Sequence, residues 1–175
     1  MLRERFGSEY DRTVDASENQ RVAEADLRER ERERARLDIT PLSEASRVRY
    51  TDEWRAVQQS FVDQPEEATA AAYELVNRVM AERGYPVRDF DAQADLVSVD
   101  HPDVVENYRA AHGIHERAQR QEASTEDLRE ALIRYRSLFE ELLRDDDAAA
   151  AAASTGRVSG QPARGQNGSD PGDER

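Results

Sequence analysis

The stretch STEDLREALIRYRSLFEELLRD, residues 124–145, decides the fold class. Ser124 followed by Asp127 three residues later is typical of a capping box at a helix N-terminus, with Asp in place of the usual Glu. The large apolar side chains that follow recur at alternating spacings of four and three residues, which places them on one face of an α-helix. These side chains are Leu128, Leu132, Tyr135, Phe139 and Leu142. The stretch therefore predicts an amphipathic helix that packs against other helices.

Three other segments show helical signals. Residues 44–62 repeat the apolar spacing and contain the only tryptophan, Trp54. Residues 65–84 begin with a proline and end with a glycine, which are common start and stop signals of a helix. Residues 98–116 predict a helix that is capped by Asp100 or His101 and has Pro102 in its first turn. Together these segments predict an all-α protein, with a small antiparallel helical bundle over residues 44–145.

The segment between the third and fourth helices, residues 85–99, has no clean period. We expect a short helix near residues 89–95, followed by an extended link. Phe90, Leu96 and Val99 are its large apolar side chains and are expected to contact the core.

The two ends of the chain differ from its centre. Residues 1–43 predict a charged helical extension, since every position from Arg28 to Arg34 is charged and the sign alternates. Alternation makes i,i+3 neighbours opposite in charge and i,i+4 neighbours alike. The main interpretation is a solvated helix, and the alternative is an arm that joins a partner. Residues 146–175 are rich in Gly, Ala, Ser, Pro and Asp and predict a disordered low-complexity tail.

The composition excludes several kinds of chemistry. The 175 residues include no cysteine, which excludes disulfides, thiolate nucleophiles and cysteine zinc sites. All 25 basic residues are arginine, so Schiff-base chemistry and a P-loop lysine are excluded too. A net charge of −13 disfavours nucleic acid as a partner. No apolar run approaches the ~20 residues of a membrane-spanning helix. We expect a cytoplasmic protein with a protein partner.

All three histidines lie in SVDHPDVVENYRAAHGIHE, residues 98–116. His112 and His115 are three apart, so on a helix they share a face and could bind one metal ion. His101 lies eleven residues before His112, which is roughly 16 Å along a helix and too far to join them. Two imidazoles supply half of a tetrahedral shell. We therefore expect a structural role, with no catalytic residue, no cofactor and no metal, and with His112 and His115 as weak metal candidates.

Several segments occur in an order that resembles a known family. They are LRERFGSEYDRTVD, LRERERERARLDI with PLS, RYTDEWRAVQQSFVDQP, and VNRVMAERGYPVRDFDAQADLVSVDHPDVVENYRAAH. The order is similar to that of a family of uncharacterised proteins from high-GC bacteria, labelled hypothetical, secreted or membrane proteins. The resemblance covers roughly residues 2–143, and the GYPV–DF–SVDHP–VV–YR–AH series is its most specific part. It implies no activity and assigns no residue a role.

Members of that family often carry a hydrophobic segment just before the LRERFG-like stretch. Such a segment upstream of this chain would place the protein at the cytoplasmic face of the membrane instead. On function, the sequence favours a non-enzymatic helical interaction or regulatory module. The alternative is a ligand- or metal-binding helical protein that uses His112 and His115 with acids from a neighbouring helix.

Overall fold

The computed structural model describes residues 1–86 and 88–155, with side chains as far as residue 144. Its described residues form α-helices and no strand, which confirms the all-α class. The eight helices are α1 Leu2–Phe6, α2 Ser8–Ala16, α3 Gln20–Ala35, α4 Glu44–Ser60, α5 Pro65–Arg83, α6 Phe90–Asp100, α7 Pro102–Gln119 and α8 Thr125–Thr155. Helix α8 thus continues through the alanine run of the predicted tail, and residues 156–175 lie outside the described part of the chain.

Helix ends follow the local signals in the sequence. The Ser124 backbone N–H donates to the Asp127 carboxylate at 2.9 Å, and the Asp127 N–H donates to Ser124 Oγ at 3.1 Å. This reciprocal pair is the predicted capping box. Gly84 ends α5 with a φ of 111°. A Cβ there would lie 2.5 Å from the carbonyl oxygen of Asp38, so glycine also permits the α3–α4 connection to approach the end of α5.

Helix α6 corrects one prediction. The expected short helix and extended link are a single helix, Phe90–Asp100, which Asp89 caps by accepting from the Ala92 N–H at 3.0 Å. Most of its side chains are buried, including the polar Gln93 and Ser98. A helix buried on most sides has no continuous polar face, and therefore no amphipathic period in the sequence.

The main core is built from helices α4 to α8. Helix α8 packs on α5 and α7, and α4 packs on α5. The apolar face predicted for α8 is buried along its length, from Leu128 to Leu142. Leu96 of α6 belongs to this core, and Phe90 packs at its edge.

The N-terminal helices pack on the side of the protein formed by α6 and α7. They contribute a second, smaller apolar cluster of Phe6, Tyr10 and Leu27 with Val99 of α6. Helix α3 also buries Arg30 in this contact. Helix α3 is therefore docked on its neighbours, contrary to the main interpretation of its charge pattern as a solvated helix.

A buried group of charges, called here the Glu9 cluster, joins four of these helices. Glu9 of α2 is 2% exposed and accepts hydrogen bonds from Arg12 at 2.7 and 2.8 Å, from Arg30 at 2.8 Å and from Arg109 of α7 at 2.8 Å. Asp95 of α6 completes the cluster, 3.0 Å from Arg30 and 2.7 Å from Arg109. Burial alone would raise the pKa of Glu9. The hydrogen bonds and charges of Arg12 and Arg109 outweigh burial and lower the pKa from 4.5 to about 2.

Candidate functional site

Helix α7 brings His112 and His115 together on one face. The His112 ring stacks on Phe90, with centroids 3.6 Å apart and an interplanar angle of 5°. Tyr73 of α5 lies against both imidazoles, at centroid distances of 5.4 and 5.1 Å. The two imidazole centroids are 6.1 Å apart. The pair therefore forms part of an aromatic wall between α5, α6 and α7.

The surroundings of this pair disfavour the charged form of both imidazoles. Burial lowers the pKa of His112 and of His115. The Glu116 carboxylate lies 3.6 Å from His112 Nε2, and the Gln119 amide nitrogen lies 3.3 Å from His115 Nε2. In residues 1–86 and 88–144, no three His, Asp or Glu side chains are grouped so that they could hold a metal ion.

His101 lies elsewhere, beside α8. It is buried, and its Nδ1 is 3.7 Å from a carboxylate oxygen of Glu141. It is the cap residue of α7, but its side chain makes no capping hydrogen bond. Its backbone carbonyl instead accepts from the N–H groups of Val104 and Val105.

We expect no stoichiometric zinc binding by the histidine pair at neutral pH. Two imidazoles leave half of a tetrahedral shell unfilled, and the sequence contains no cysteine to complete it. Calorimetric titration of the demetallated protein should give weak binding that is equal in the wild type and in the His112→Ala/His115→Ala variant. One-to-one submicromolar binding that is lost in the variant would contradict this expectation.

A second feature is a surface groove between α4 and α8, called here the α4–α8 groove. Its volume is about 760 Å³. Its floor is apolar and is formed by Val48 and Trp54 of α4 and by Phe139 and Leu143 of α8. Trp54 stacks on Phe139, with centroids 4.7 Å apart. Val48 is 57% exposed, so the groove is open to solvent along α4.

Charged side chains line the edges of this groove. Three of the arginines have acidic partners on their own helix: Arg55 with Asp52, Arg136 with Glu140, and Arg144 with Glu141, at 3.2, 2.8 and 3.5 Å. In total the groove is lined by four arginines and three acids, which are Arg47, Arg55, Arg136 and Arg144 with Glu44, Asp52 and Glu140.

One residue outside the predicted apolar stripe of α4 lies in the groove. The predicted apolar stripe of residues 44–62 contains Tyr50, Trp54, Val57 and Phe61, and Val48 lies outside it. Single exposed aliphatic residues are common on protein surfaces, so this position alone does not identify the groove. No sequence pattern indicates that α8 lies across a groove from that residue.

Comparison with known proteins adds no relative. No protein-family model, no curated protein and no solved structure matches the chain. Among the described residues, none of the helices has both the length and the apolar character needed to cross a membrane.

Proposed function

We propose that the chain is a non-enzymatic interaction module that binds a helical segment of a partner protein in the α4–α8 groove. The observation that carries this proposal is the apolar lining of the groove, in which the exposed Val48 and the partly exposed Leu143 lie beside the buried Trp54 and Phe139, between two helices that both pack on α5. Amphipathic helices commonly bind in such grooves, through apolar side chains spaced along one face.

The dimensions of the groove favour a helix. The lining on α4 extends from Glu44 to Gln58, which is about 21 Å at ~1.5 Å per residue. A partner helix of about four turns has the same length. A helix in this position would pack against α4 and α8 as helices of a bundle pack against each other.

The chemistry of the chain favours a partner molecule over its own C-terminal segment. Residues 156–175 contain one large aliphatic side chain, Val158, and no aromatic side chain. They are therefore a poor match to a floor of Trp54, Phe139 and Leu143. The net charge of −13 also favours a protein over a nucleic acid as the partner.

Selection from a phage-displayed library of helical peptides tests this proposal. We expect the selected peptides to lose binding to a Val48→Glu variant, because a carboxylate would then stand at the apolar floor. The matched control is Val22→Glu on α3, where another helical valine is 46% exposed. It should leave binding unchanged. Peptides that bind both variants equally, or a library that yields no binder, would contradict the proposal.

A further inference from the structure

A cluster of partly exposed rings joins α5, α6 and α7 and is called here the His112 junction. It consists of Tyr73 of α5, Phe90 of α6, and His112 and His115 of α7. We propose that this junction is an acid-sensitive switch, in which proton uptake by the two imidazoles opens the contacts of α7 with Tyr73 and Phe90 while the bundle stays folded. This switch does not depend on helix binding in the α4–α8 groove.

The junction encloses His112 in a way that suits a neutral ring. His112 lies parallel to Phe90 at a centroid distance of 3.6 Å, and its side chain is 16% exposed. Its Nδ1 is buried, and no described residue forms a hydrogen bond with that atom. An imidazolium carries an N–H donor on both nitrogens. The protonated ring would therefore hold a buried N–H on Nδ1 without an acceptor, which is costly.

His115 opposes protonation through a different contact. Its Nε2 lies 3.3 Å from the side-chain nitrogen of Gln119, and an amide nitrogen donates hydrogen bonds but does not accept them. His115 Nε2 is therefore the acceptor and carries no proton in the closed junction. The centroids of the two imidazoles are 6.1 Å apart, so a charge on one ring disfavours a charge on the other. Uptake of two protons thus opposes the closed arrangement through both hydrogen bonding and charge.

Charged groups around the junction act in both directions. The acids and the ring face of Phe90 favour an imidazolium, whereas the arginines disfavour it. The pKa of both histidines is nevertheless lowered, with burial as the largest cause, so burial outweighs the nearby acids. The titratable groups around the two rings are Arg12 of α2, Tyr73 and Glu74 of α5, Asp89 and Asp91 of α6, Arg109 and Glu116 of α7, and Tyr135 of α8.

Gly113 weakens helix α7 between the two histidines. A Cβ at this position would meet no atom within 4 Å, and the backbone there has no positive φ, so neither packing nor conformation requires glycine. Glycine inside a helix is destabilising relative to alanine, because it loses more conformational freedom when the helix forms. Local opening of α7 is therefore easier at the junction than at an alanine-containing turn.

The direction of the switch follows from the pKa values. In the open junction the imidazoles are solvated and have their ordinary pKa of 6.5, whereas in the closed junction the pKa of each is lower. The closed junction is therefore fully favoured above pH 6.5 and loses this advantage as the pH falls below that value. Ordinary carboxylates titrate near pH ~4, so they remain charged while the histidines titrate.

Hydrogen–deuterium exchange of the full chain tests the switch, with EDTA present so that no metal ion bridges the pair. Exchange is measured at about pH 7.5 and about pH 5.5, on either side of the ordinary pKa of histidine, and is corrected for its intrinsic dependence on pH. We expect the protection of residues 112–119 to fall at least about fivefold between the two conditions. Helix α4, which contains no histidine, is the internal control and should keep its protection.

Two variants identify the groups responsible. His112→Phe/His115→Gln keeps an aromatic ring against Phe90 and removes both titrating groups, so its protection over residues 112–119 should not depend on pH. It retains His101, whose titration therefore cancels in the comparison with the wild type. Gly113→Ala should raise the protection in both conditions and leave the ratio between them unchanged, because it strengthens the helix without changing proton uptake.

The other results contradict the switch. Constant protection in the wild type, or an equal fall in the double variant, would show that the two histidines do not open the junction. An equal fall in α4 would show that acid destabilises the whole bundle, and Gly113→Ala without added protection would contradict opening of α7. If the double variant does not fold, the imidazole NMR signals of the wild type decide. Midpoints below pH 6.5 for His112 and His115 support the switch, and midpoints at or above that value overturn it.

Discussion

Replacing Glu9 with alanine is expected to destabilise the protein by about 3–5 kcal/mol. Glu9 is buried and accepts hydrogen bonds from Arg12, Arg30 and Arg109. Its removal leaves the buried Arg30 with the more exposed Asp26 and Asp95 as its acidic partners. The free energy of unfolding can be measured by urea titration, followed by far-UV circular dichroism.

The control for this prediction is Asp11→Ala on the same helix. Asp11 pairs with Arg3 at 3.1 Å, and both side chains are more than half exposed. Its loss should cost at most about 1 kcal/mol. An effect of Glu9→Ala no larger than that of the control would show that the Glu9 cluster contributes little to stability.

The same cluster predicts a dependence of stability on pH. Because the pKa of Glu9 is lowered from 4.5 to about 2, its contribution is present above pH ~4.5 and is lost as the pH falls toward 2. The shift corresponds to roughly 3 kcal/mol. Other carboxylates titrate in the same range, so the wild type is compared with Glu9→Gln. In that variant, the part of the decrease in unfolding free energy at low pH that comes from protonation of Glu9 should be absent. Identical pH profiles of the two proteins would contradict the assignment.

Replacing Trp54 with alanine is expected to cost about 3–5 kcal/mol of stability. Trp54 is 4% exposed and stacks on Phe139, so the substitution removes a large buried ring and leaves a cavity beside α8. Urea titration by circular dichroism measures the loss. The native protein should also show the blue-shifted emission of a buried tryptophan, and a red-shifted emission would contradict the prediction.

Two controls separate the contributions of this side chain. Trp54→Phe keeps an aromatic ring against Phe139 and should be much milder than alanine. No described residue accepts a hydrogen bond from the indole N–H, so the phenylalanine variant loses no such bond. Val48→Ala removes an exposed side chain from the same groove and should change stability by less than about 0.5 kcal/mol. A loss as large as that of Trp54→Ala would contradict the assignment of Val48 to the surface.

The parts of the fold that were predictable depend on local patterns. Helix α8 was predictable because its apolar period and its capping box are both encoded within about twenty consecutive residues. Helix α5 was predictable from Pro65, Gly84 and the period between them. Helix α6 was not, because it is enclosed on most sides and lacks the polar face that would reveal its period.

The Glu9 cluster and the α4–α8 groove could not be predicted for a different physical reason. Charged residues are usually solvated, and nothing local distinguishes Glu9 or Arg30 from their exposed neighbours. Their burial depends on Asp95 and Arg109, which are distant in the chain. The groove likewise depends on how α4 and α8 are placed around α5. By contrast, the shared face of His112 and His115 follows from their spacing on one helix.

The span of the Glu9 cluster has a consequence for the newly made chain. Glu9 and Arg109 are 100 residues apart in sequence. At about 5–20 residues per second, the N-terminal helices leave the ribosome roughly 5–20 s before the helix on which they dock. A nascent segment that exposes a broad apolar surface before its partner helix is synthesised is prone to aggregation. A segment rich in arginine and glutamate remains hydrated. Docking through charge therefore suits an N-terminal element whose partners, α6 and α7, are synthesised several seconds later.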